Sequence, residues 1–552
     1  MRKIIPFVFL ISSFLYAQEA LKSVEENYFD FLSLQGIVTR PSLNYRTLSD
    51  SEWNPGETSH LWQNINLGNK KTLFNSDATK QSIKLKIYGP EWFNSYNTKA
   101  PYGQNDGGLW QGKGYNTALS GGLRLEGYGI ELTLKPQLSW SQNADFEYIT
   151  PNYQEETFRD KAQKYGYYGI RFIDAPQRFG NSSFFNFDFG DTEIRYTWKN
   201  LTAGFGTQSI WLGPAQFNPI IHSNNAPSYP KIDIGLRKSK VFIPHFDWYI
   251  GEFEARAWWG KLSESDFFDN DNSNNENLIS GVALGYSFPG FLQGLSLGIN
   301  RTMLSRWNNL NSFGIGHIFI PDMHGGFDDA DQRFSLTFDY LIPQTGLEMY
   351  FEWARDDFSP NKDFIIRYPF HTQAWTFGTQ KVFNLSEKYS LRLMLEITSL
   401  ENSADYDRLI NWVNTFYCHS EILQGYTNRG QWLGAGIGTG GNSQYLGLSL
   451  FYPRGSFTLF GQRRNPDLDY TMYLDAKNDA ENIENGIFNA EKSIRANVDI
   501  GISTVFFYNK NLRFSGAFIF DWEHNPLNVN HGYGTSEYRY NCVVQAGVKY
   551  SF

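Results

Sequence analysis

Apolar and polar residues alternate one for one along short segments spaced through most of this chain. Ile83-Lys84-Leu85-Lys86-Ile87 alternates cleanly, as do Glu131-Leu132-Thr133-Leu134 and Glu193-Ile194-Arg195-Tyr196-Thr197-Trp198. Phe253-Glu254-Ala255-Arg256-Ala257, Leu347-Glu348-Met349-Tyr350-Phe351-Glu352-Trp353 and Leu391-Arg392-Leu393-Met394-Leu395-Glu396-Ile397 repeat the rhythm. A period of two is that of an extended strand with unlike faces. Its polar member is often charged, and a charge facing lipid at mid-membrane costs ~2–4 kcal/mol. Those charges must therefore look inward, so the pattern predicts a transmembrane β-barrel with an apolar outer face and a polar lumen. The last ten residues fit a closing strand: Ala546, Val548, Tyr550 and Phe552 share one face, Gln545, Lys549 and Ser551 the other. A terminal Phe552 is also what the barrel-assembly machinery of Gram-negative bacteria reads.

Tight connections fall near Gly127-Tyr128-Gly129, Lys199-Asn200, Val241 to Phe246, Pro289 to Gly294, Pro343 to Gly346, Asn384 to Lys388, Pro453 to Ser456 and Asn509 to Asn511. Gly, Pro and Asn supply the turn conformations there. Each turn joins two strands. With an opening strand near Ile83 and the closing strand at Phe552, the count is about eighteen, even as bacterial barrels require, with sixteen as the lower bound. The other connections are long: roughly 89–117, 139–193, 209–231, 260–278, 302–332, 355–372, 399–430, 464–493 and 522–540. In such barrels long loops face the cell exterior and short turns the periplasm.

Residues 1–17 have the form of a secretory signal. Arg2 and Lys3 precede an apolar stretch from Ile4 to Tyr16, and Leu15-Tyr16-Ala17 is a cleavage site before Gln18. Residues 18–82 lack sustained alternation. Leu21, Val24, Tyr28 and Leu32 line one face of a short helix, and the stretch is expected in the periplasm or in the barrel's lower end. The barrel itself is expected over 83–552. Composition agrees: mean hydropathy is −0.45, yet 17% of residues are aromatic, because only alternate strand residues face lipid. Trp258, Trp259 and Trp353 are expected in the aromatic girdle. The net charge of −9 argues against a nucleic-acid partner. Cys418 and Cys542 do not make a disulfide framework, although an oxidising periplasm would let them pair.

Three motif-like segments lie on the long-loop side. The first is Pro90-Glu91-Trp92-Phe93-Asn94-Ser95-Tyr96-Asn97, continuing through Asn105-Asp106-Gly107-Gly108-Leu109-Trp110-Gln111-Gly112-Lys113-Gly114. The second is Trp211-Leu212-Gly213-Pro214, then His222-Ser223-Asn224-Asn225-Ala226-Pro227-Ser228-Tyr229-Pro230. The third is Tyr417-Cys418-His419-Ser420, then Gly425-Tyr426-Thr427-Asn428-Arg429-Gly430. Together, and in this order, they resemble the signature stretches of the capsule assembly protein Wzi family. The resemblance implies an outer-membrane barrel of about eighteen strands. It also implies a surface lectin that holds exported polysaccharide at the cell surface rather than exporting it. Residues 18–82 depart from the family's helical periplasmic segment.

The chemistry of these stretches suits a glycan independently. Asn105, Asp106, Asn224 and Asn225 can exchange hydrogen bonds with sugar hydroxyls. Trp92, Trp110, Trp211, Tyr229 and Tyr426 can cover apolar sugar faces, and Lys113 and Arg429 can pair with uronic-acid or pyruvyl carboxylates. The competing explanation is that Gly- and Asn-rich runs satisfy the backbone of loops folded into the barrel mouth. No catalytic constellation is legible: neighbours in His222-Ser223-Asn224 point in opposite directions, and the nine histidines show no metal-ligand spacing. The expected protein is thus a non-catalytic, cofactor-free lectin for capsular or exopolysaccharide, integral to the outer membrane and in contact with its lipid and lipopolysaccharide. The alternative is a sugar-selective porin or polysaccharide exit channel. The inward charges Glu193, Arg195, Glu254, Arg256, Glu348, Glu352, Arg392 and Glu396 suit either an aqueous pore or a lumen filled and held by ion pairs.

Overall fold

A computed structural model describes residues 17–18, 21–56, 58–76, 81–151, 160–168, 172–310, 315–319, 330–356, 362–402, 416–471, 494–528 and 537–552. Residues 1–16, read above as most of a secretory signal, lie outside the described residues, as do parts of six of the long loops. The wall opens with β1 (Gln81–Asn97) and β2 (Gly114–Gly127). Two interrupted strands follow, β3 (Ile130–Leu134 with Gln137–Ser141) and β4 (Phe184–Asp188 with Glu193–Trp198). Then come β5 (Leu201–Gly206), β6 (Lys231–Ile243) and β7 (Trp248–Ser263). The next are β8 (Glu276–Ser287), β9 (Leu295–Arg306), β10 (Ala330–Ile342), β11 (Leu347–Asp356) and β12 (Gln373–Ser386). The last six are β13 (Tyr389–Ser399), β14 (Asn442–Tyr452), β15 (Gly455–Asn465), β16 (Ala496–Phe507), β17 (Leu512–His524) and β18 (Tyr538–Tyr550). The closing ladder is antiparallel and runs from Val543↔Asn97 to Lys549↔Glu91. The eighteen-strand barrel is closed, and all eight tight turns fall where the Gly, Pro and Asn clusters place them.

The alternation sorts as the membrane requires. In β11, Glu348, Tyr350, Glu352 and Ala354 are buried inside, while Met349 and Phe351 are exposed outside. The other charged inward positions, Glu193, Arg195, Glu254, Arg256, Arg392 and Glu396, are buried as well. Two girdle positions do face out, but Trp258 does not: it is fully buried and packs against Tyr45 inside the lumen, 5.6 Å between ring centroids. Its strand parity matches Glu254 and Arg256, and parity decides the face.

The lumen is filled. Helix α1 (Val24–Leu34) is capped by Ser23, whose hydroxyl accepts from Glu26 N at 3.2 Å. The spacing of Leu21, Val24, Tyr28 and Leu32 predicts one apolar face. Instead the helix is buried nearly all round, because it lies inside the barrel and its acids have wall partners. Tyr28 stacks on Trp62 at 3.9 Å and Phe31 on the wall residue Phe451 at 4.0 Å. Arg513 and Lys549 of the wall pair with Glu25 at 2.6 and 3.1 Å. Arg40 meets Asp30, Asp339 and Glu348 at 2.8, 3.0 and 2.5 Å, and Asp50 meets Arg237 and Arg256 at 2.9 and 3.0 Å.

Irregular chain inside a membrane barrel must have its backbone groups satisfied by protein. Wall carboxylates do this. Glu254 accepts from the amides of Leu43, Asn44 and Tyr45 at 2.9, 3.2 and 2.7 Å. Glu396 accepts from those of Gln216, Phe217 and Asn218, and Glu352 from that of Ile220 at 2.9 Å. The inward acids therefore serve as fastenings for the filling rather than as the lining of a pore.

Candidate functional site

The three signature stretches meet at the long-loop end. Asn105 N donates to Asn225 Oδ1 at 3.0 Å, and Gly107 N to the Asn224 carbonyl at 2.9 Å, joining the first stretch to the second. Asn225 Nδ2 donates to the Trp432 carbonyl at 3.1 Å, and Asn428 Nδ2 to that of Pro227 at 3.0 Å, joining the second to the third. Within the third stretch, Thr427–Asn428 pairs with Gln431–Trp432 across a two-residue turn at Arg429-Gly430. Both turn residues have positive φ, +49° and +78°, as a type I′ hairpin demands. Gly425 is needed twice over: its φ is +63°, and a Cβ there would lie 2.6 Å from the Tyr417 carbonyl.

This places the candidate residues in three groups. Asn105 and Asn225 spend their side-chain amides on framework across the loops, whereas Asn224 ties them through its backbone carbonyl and its buried Oδ1 has no partner among the described residues. Trp211, Tyr229 and Tyr426 are buried beneath the surface and are not sugar platforms. Trp211 Nε1 donates to the Ala215 carbonyl at 2.9 Å, Tyr229 bonds His222 Nε2 at 2.7 Å, and Tyr426 donates to Thr302 Oγ1 at 3.1 Å under the Arg333 guanidinium. Trp92 is on the outer wall, half exposed among apolar neighbours, and its Nε1 donates to Thr117 Oγ1 at 2.9 Å. A β-bulge between Tyr88 and Glu91 reverses the parity of β1 and turns Trp92 to lipid. Lys113 donates to the Asp145 carbonyl at 2.7 Å, and the Arg429 side chain is exposed on the outer side of its hairpin.

What the loops enclose is a chamber of about 280 Å³ beside β15 to β18. Trp110 and Asn225, from the candidate set, line it. The rest of its chemistry comes from residues that the sequence did not mark: the aromatics Tyr148, Tyr167, Tyr168 and Trp432, and the guanidiniums of Arg464, Arg495 and Arg539. The aromatics form one body. Tyr167 lies 4.2 Å from Tyr168 and meets Trp432 edge-on at 5.5 Å, and Tyr168 stacks on Tyr470 at 5.0 Å. Arg539 is held by Glu523 and Arg464 by Asp499, at 2.5 and 3.1 Å. Arg495 differs. It donates to Tyr168 Oη at 2.6 Å, forms no salt bridge among the described residues, and its Nε has no partner. The chamber thus offers ring faces, amides and one guanidinium that has no salt bridge among the described residues and is drawn to Glu523 only at longer range.

A second cavity of about 270 Å³ lies deeper, lined by Asp106, Asn224, Lys22 and Lys135. Burial pushes the Asp106 carboxyl up from 3.8 to about 7, against hydrogen bonds from the Gln111 side chain and the Gln104 backbone. The fold therefore favours its neutral form. That contribution to stability is complete below the unfolded value and is lost as pH rises through the folded one. Asp106→Asn should flatten the decline in thermal stability between pH 4 and 8 in detergent. A variant profile parallel to the wild type would refute this. His222 is held neutral in the opposite sense: burial, then Lys231, lowers it to about 4. Its Nδ1 faces the Ile210 and Ser223 carbonyls, while Ser223 Oγ donates to Gly434 O at 2.6 Å and not to His222. The pair has no nucleophile–base geometry. Cys418 and Cys542 are both free thiols.

Comparison with known proteins agrees with this architecture. The family model for the capsule assembly protein Wzi matches residues 98–515. Among solved structures, Wzi of Escherichia coli is 13% identical with a TM-score of 0.57, over 97% of this chain and 98% of that one. That protein is reported as an outer-membrane, carbohydrate-binding β-barrel involved in group 1 capsule assembly. OprB of Pseudomonas putida is 10% identical with a TM-score of 0.36, over 85% of this chain and 94% of that one. No curated protein matches the chain in sequence. With most of its length matched by the family model and its wall closed on eighteen antiparallel strands, the chain belongs to the capsule assembly protein Wzi family and is an outer-membrane β-barrel.

Proposed function

We propose that this protein is a non-catalytic lectin that retains capsular or exopolysaccharide at the cell surface. The observation that carries the proposal is the chamber of aromatic rings and guanidiniums at the long-loop end, above a lumen packed with protein. Aromatic faces cover the C–H faces of sugars, and the Arg495 guanidinium is placed to take a sugar carboxylate. With a net charge of −9 the protein does not steer an acidic polymer from afar, so the attraction is local. At about 280 Å³ the chamber sits at the small end of ligand sites, which span ~300–1,000 Å³. It suits one or two sugars of a long chain and binds them weakly. Firm retention then comes from many barrels holding one polymer.

The long loops carry this site on the exterior, and the barrel-assembly machinery inserts the chain by its closing strand. Deleting the protein should leave polymer synthesis intact while moving polymer from the cells to the medium. Unchanged cell-bound polymer in the mutant would defeat the proposal.

A further inference from the structure

The wall has a notch. β4 pairs with β3 over both of its halves, but with β5 only over Glu193–Trp198. β5 stops at Gly206, and the chain then turns into the lumen as far as Pro230. β6 begins only at Lys231, paired with Gly206 on one side and Gly260 on the other. Above that level Phe184–Asp188 has no ladder partner on that side among the described residues, and at the top of β7 Lys261–Ser263 is met not by a strand but by loops: Lys261 N donates to the Pro230 carbonyl at 3.0 Å, Ser263 N to Asn428 Oδ1 at 3.0 Å, and Arg429 N to the Ser263 carbonyl at 2.8 Å. An open edge facing hydrocarbon leaves backbone groups that neither lipid nor water satisfies. Here Asp188 turns inward instead and accepts from Ser228 N at 2.9 Å, which ties the in-folded loop across the gap.

Outside that tie lies a groove of about 770 Å³. Its floor is apolar: Leu134, Phe187, Ile194 and Phe205 are each about half exposed on the outer face. Its rim is cationic. Arg429 projects there from the type I′ hairpin, with no salt bridge among the described residues, and Lys261 stands beside it, paired with the exposed Glu276 at 2.6 Å. Both cations sit at the long-loop end of the strands, and the apolar residues lie toward mid-wall.

We propose that this notch seats one phosphorylated acyl lipid of the outer leaflet, a chain of it lying along Phe187, Ile194 and Phe205 and its phosphate meeting Arg429 and Lys261. The order of the groups selects such an amphiphile over a sugar polymer, which has no use for a lipid-facing apolar floor. It selects it over a neutral lipid too, because the rim carries a guanidinium with no salt bridge among the described residues. The inference rests on the barrel's place in the outer membrane and not on what fills the aromatic chamber.

The test is native mass spectrometry of the full-length protein in detergent, titrated with bis-phosphorylated lipid A, with its dephosphorylated form and with phosphatidylglycerol. We expect one lipid A per barrel, and at least a tenfold lower apparent affinity on removing its phosphates or on making Arg429→Gln. Lys261→Gln should show a smaller loss in the same direction. A photoreactive phenylalanine at Phe205 should form a lipid A adduct at lipid concentrations where the same residue at the outward-facing Phe518 forms none. Equal occupancy for all three lipids, an Arg429→Gln titration superimposable on the wild type, or equal adducts at the two positions would overturn the proposal. Polysaccharide retention by the Arg429→Gln strain separates this outcome from failure of the lectin reading.

Discussion

The full-length protein should pass no steady current across a planar bilayer, although a wall of eighteen strands is wide enough for a water-filled channel. Two packed layers stand in the way. The lower one gathers Tyr28, Phe31, Trp53 and Trp62 against the wall residues Val382, Phe451 and Phe507. The upper one gathers Leu212, Ile220, Tyr417 and Leu433 from the in-folded loops around Tyr45 and Trp258. Asp50 is the fastening whose loss should be felt most. It lies between the two layers in chain order and holds both Arg256 and Arg237. Arg256 also meets Asp233 at 2.6 Å, and Asp233 in turn meets Arg195. Removing one member of a buried ionic network leaves its partners uncompensated, at a cost of about 3–5 kcal/mol. Asp50→Ala should therefore lower the temperature at which the barrel loses its heat-modifiable mobility, and should show intermittent conductance steps absent from the wild type. Burial raises the Asp50 carboxyl, but Arg256 and Arg237 more than offset that and hold it below the usual carboxylate range. The tie is thus fully present above the unfolded value and is lost as pH falls, so acid should reproduce the variant's behaviour. A steady open channel in the wild type would contradict the sealed lumen. An unchanged midpoint in Asp50→Ala would contradict the ionic account of the seal.

The difference between what the sequence makes legible and what it hides follows from which forces act locally. The wall is legible because lipid imposes a period of two on every strand, and because Gly, Pro and Asn punctuate each short turn. Even the inward acids Glu254, Glu352 and Glu396 can be placed from parity alone. Parity fails only where the count slips, as at the bulge before Glu91 that turns Trp92 outward. The loops obey no period. Trp211 and Tyr426 carry the same residue types as a sugar platform, yet they are buried because their loops turn down into the barrel. Conversely, Tyr167, Tyr168 and Arg495 have no motif around them. Arg495 lies one residue before β16 and Tyr168 in a distant loop, and only the folded chain puts them 2.6 Å apart. The signature stretches gather beside the chamber, chiefly as the scaffold that shapes it. Asn105, Asn225 and Asn428 spend their amides joining loops, an arrangement in which each substitution disturbs its neighbours.

Arg495→Ala and Trp432→Ala, made singly, should each strip most of the polymer from the cell surface while leaving synthesis and barrel insertion intact. Arg495 forms no salt bridge among the described residues, and the Glu523 carboxylate that it attracts at longer range keeps its pair with Arg539, so little should change in the fold. Trp432 is half-buried, with a ring edge toward Tyr167, and its loss takes away a face that a sugar would cover. Truncating an aromatic or arginine anchor commonly costs at least ~2 kcal/mol of binding, which exceeds the 1.4 kcal/mol of a tenfold change. Because one polymer is held by many barrels, that loss enters once per attached site, so a modest change in each site becomes near-complete release. Arg495→Lys should recover part of the retention if charge alone attracts the polymer, and little if the bidentate guanidinium fork is needed. Trp92→Ala is the matched control: the same residue type in the same signature stretch, but facing lipid, and it should leave retention as in the wild type. Cell-bound and released polymer, measured side by side with the amount of folded barrel, decide the matter. If Trp92→Ala releases polymer while Arg495→Ala and Trp432→Ala keep it, the glycan lies elsewhere than in the aromatic chamber.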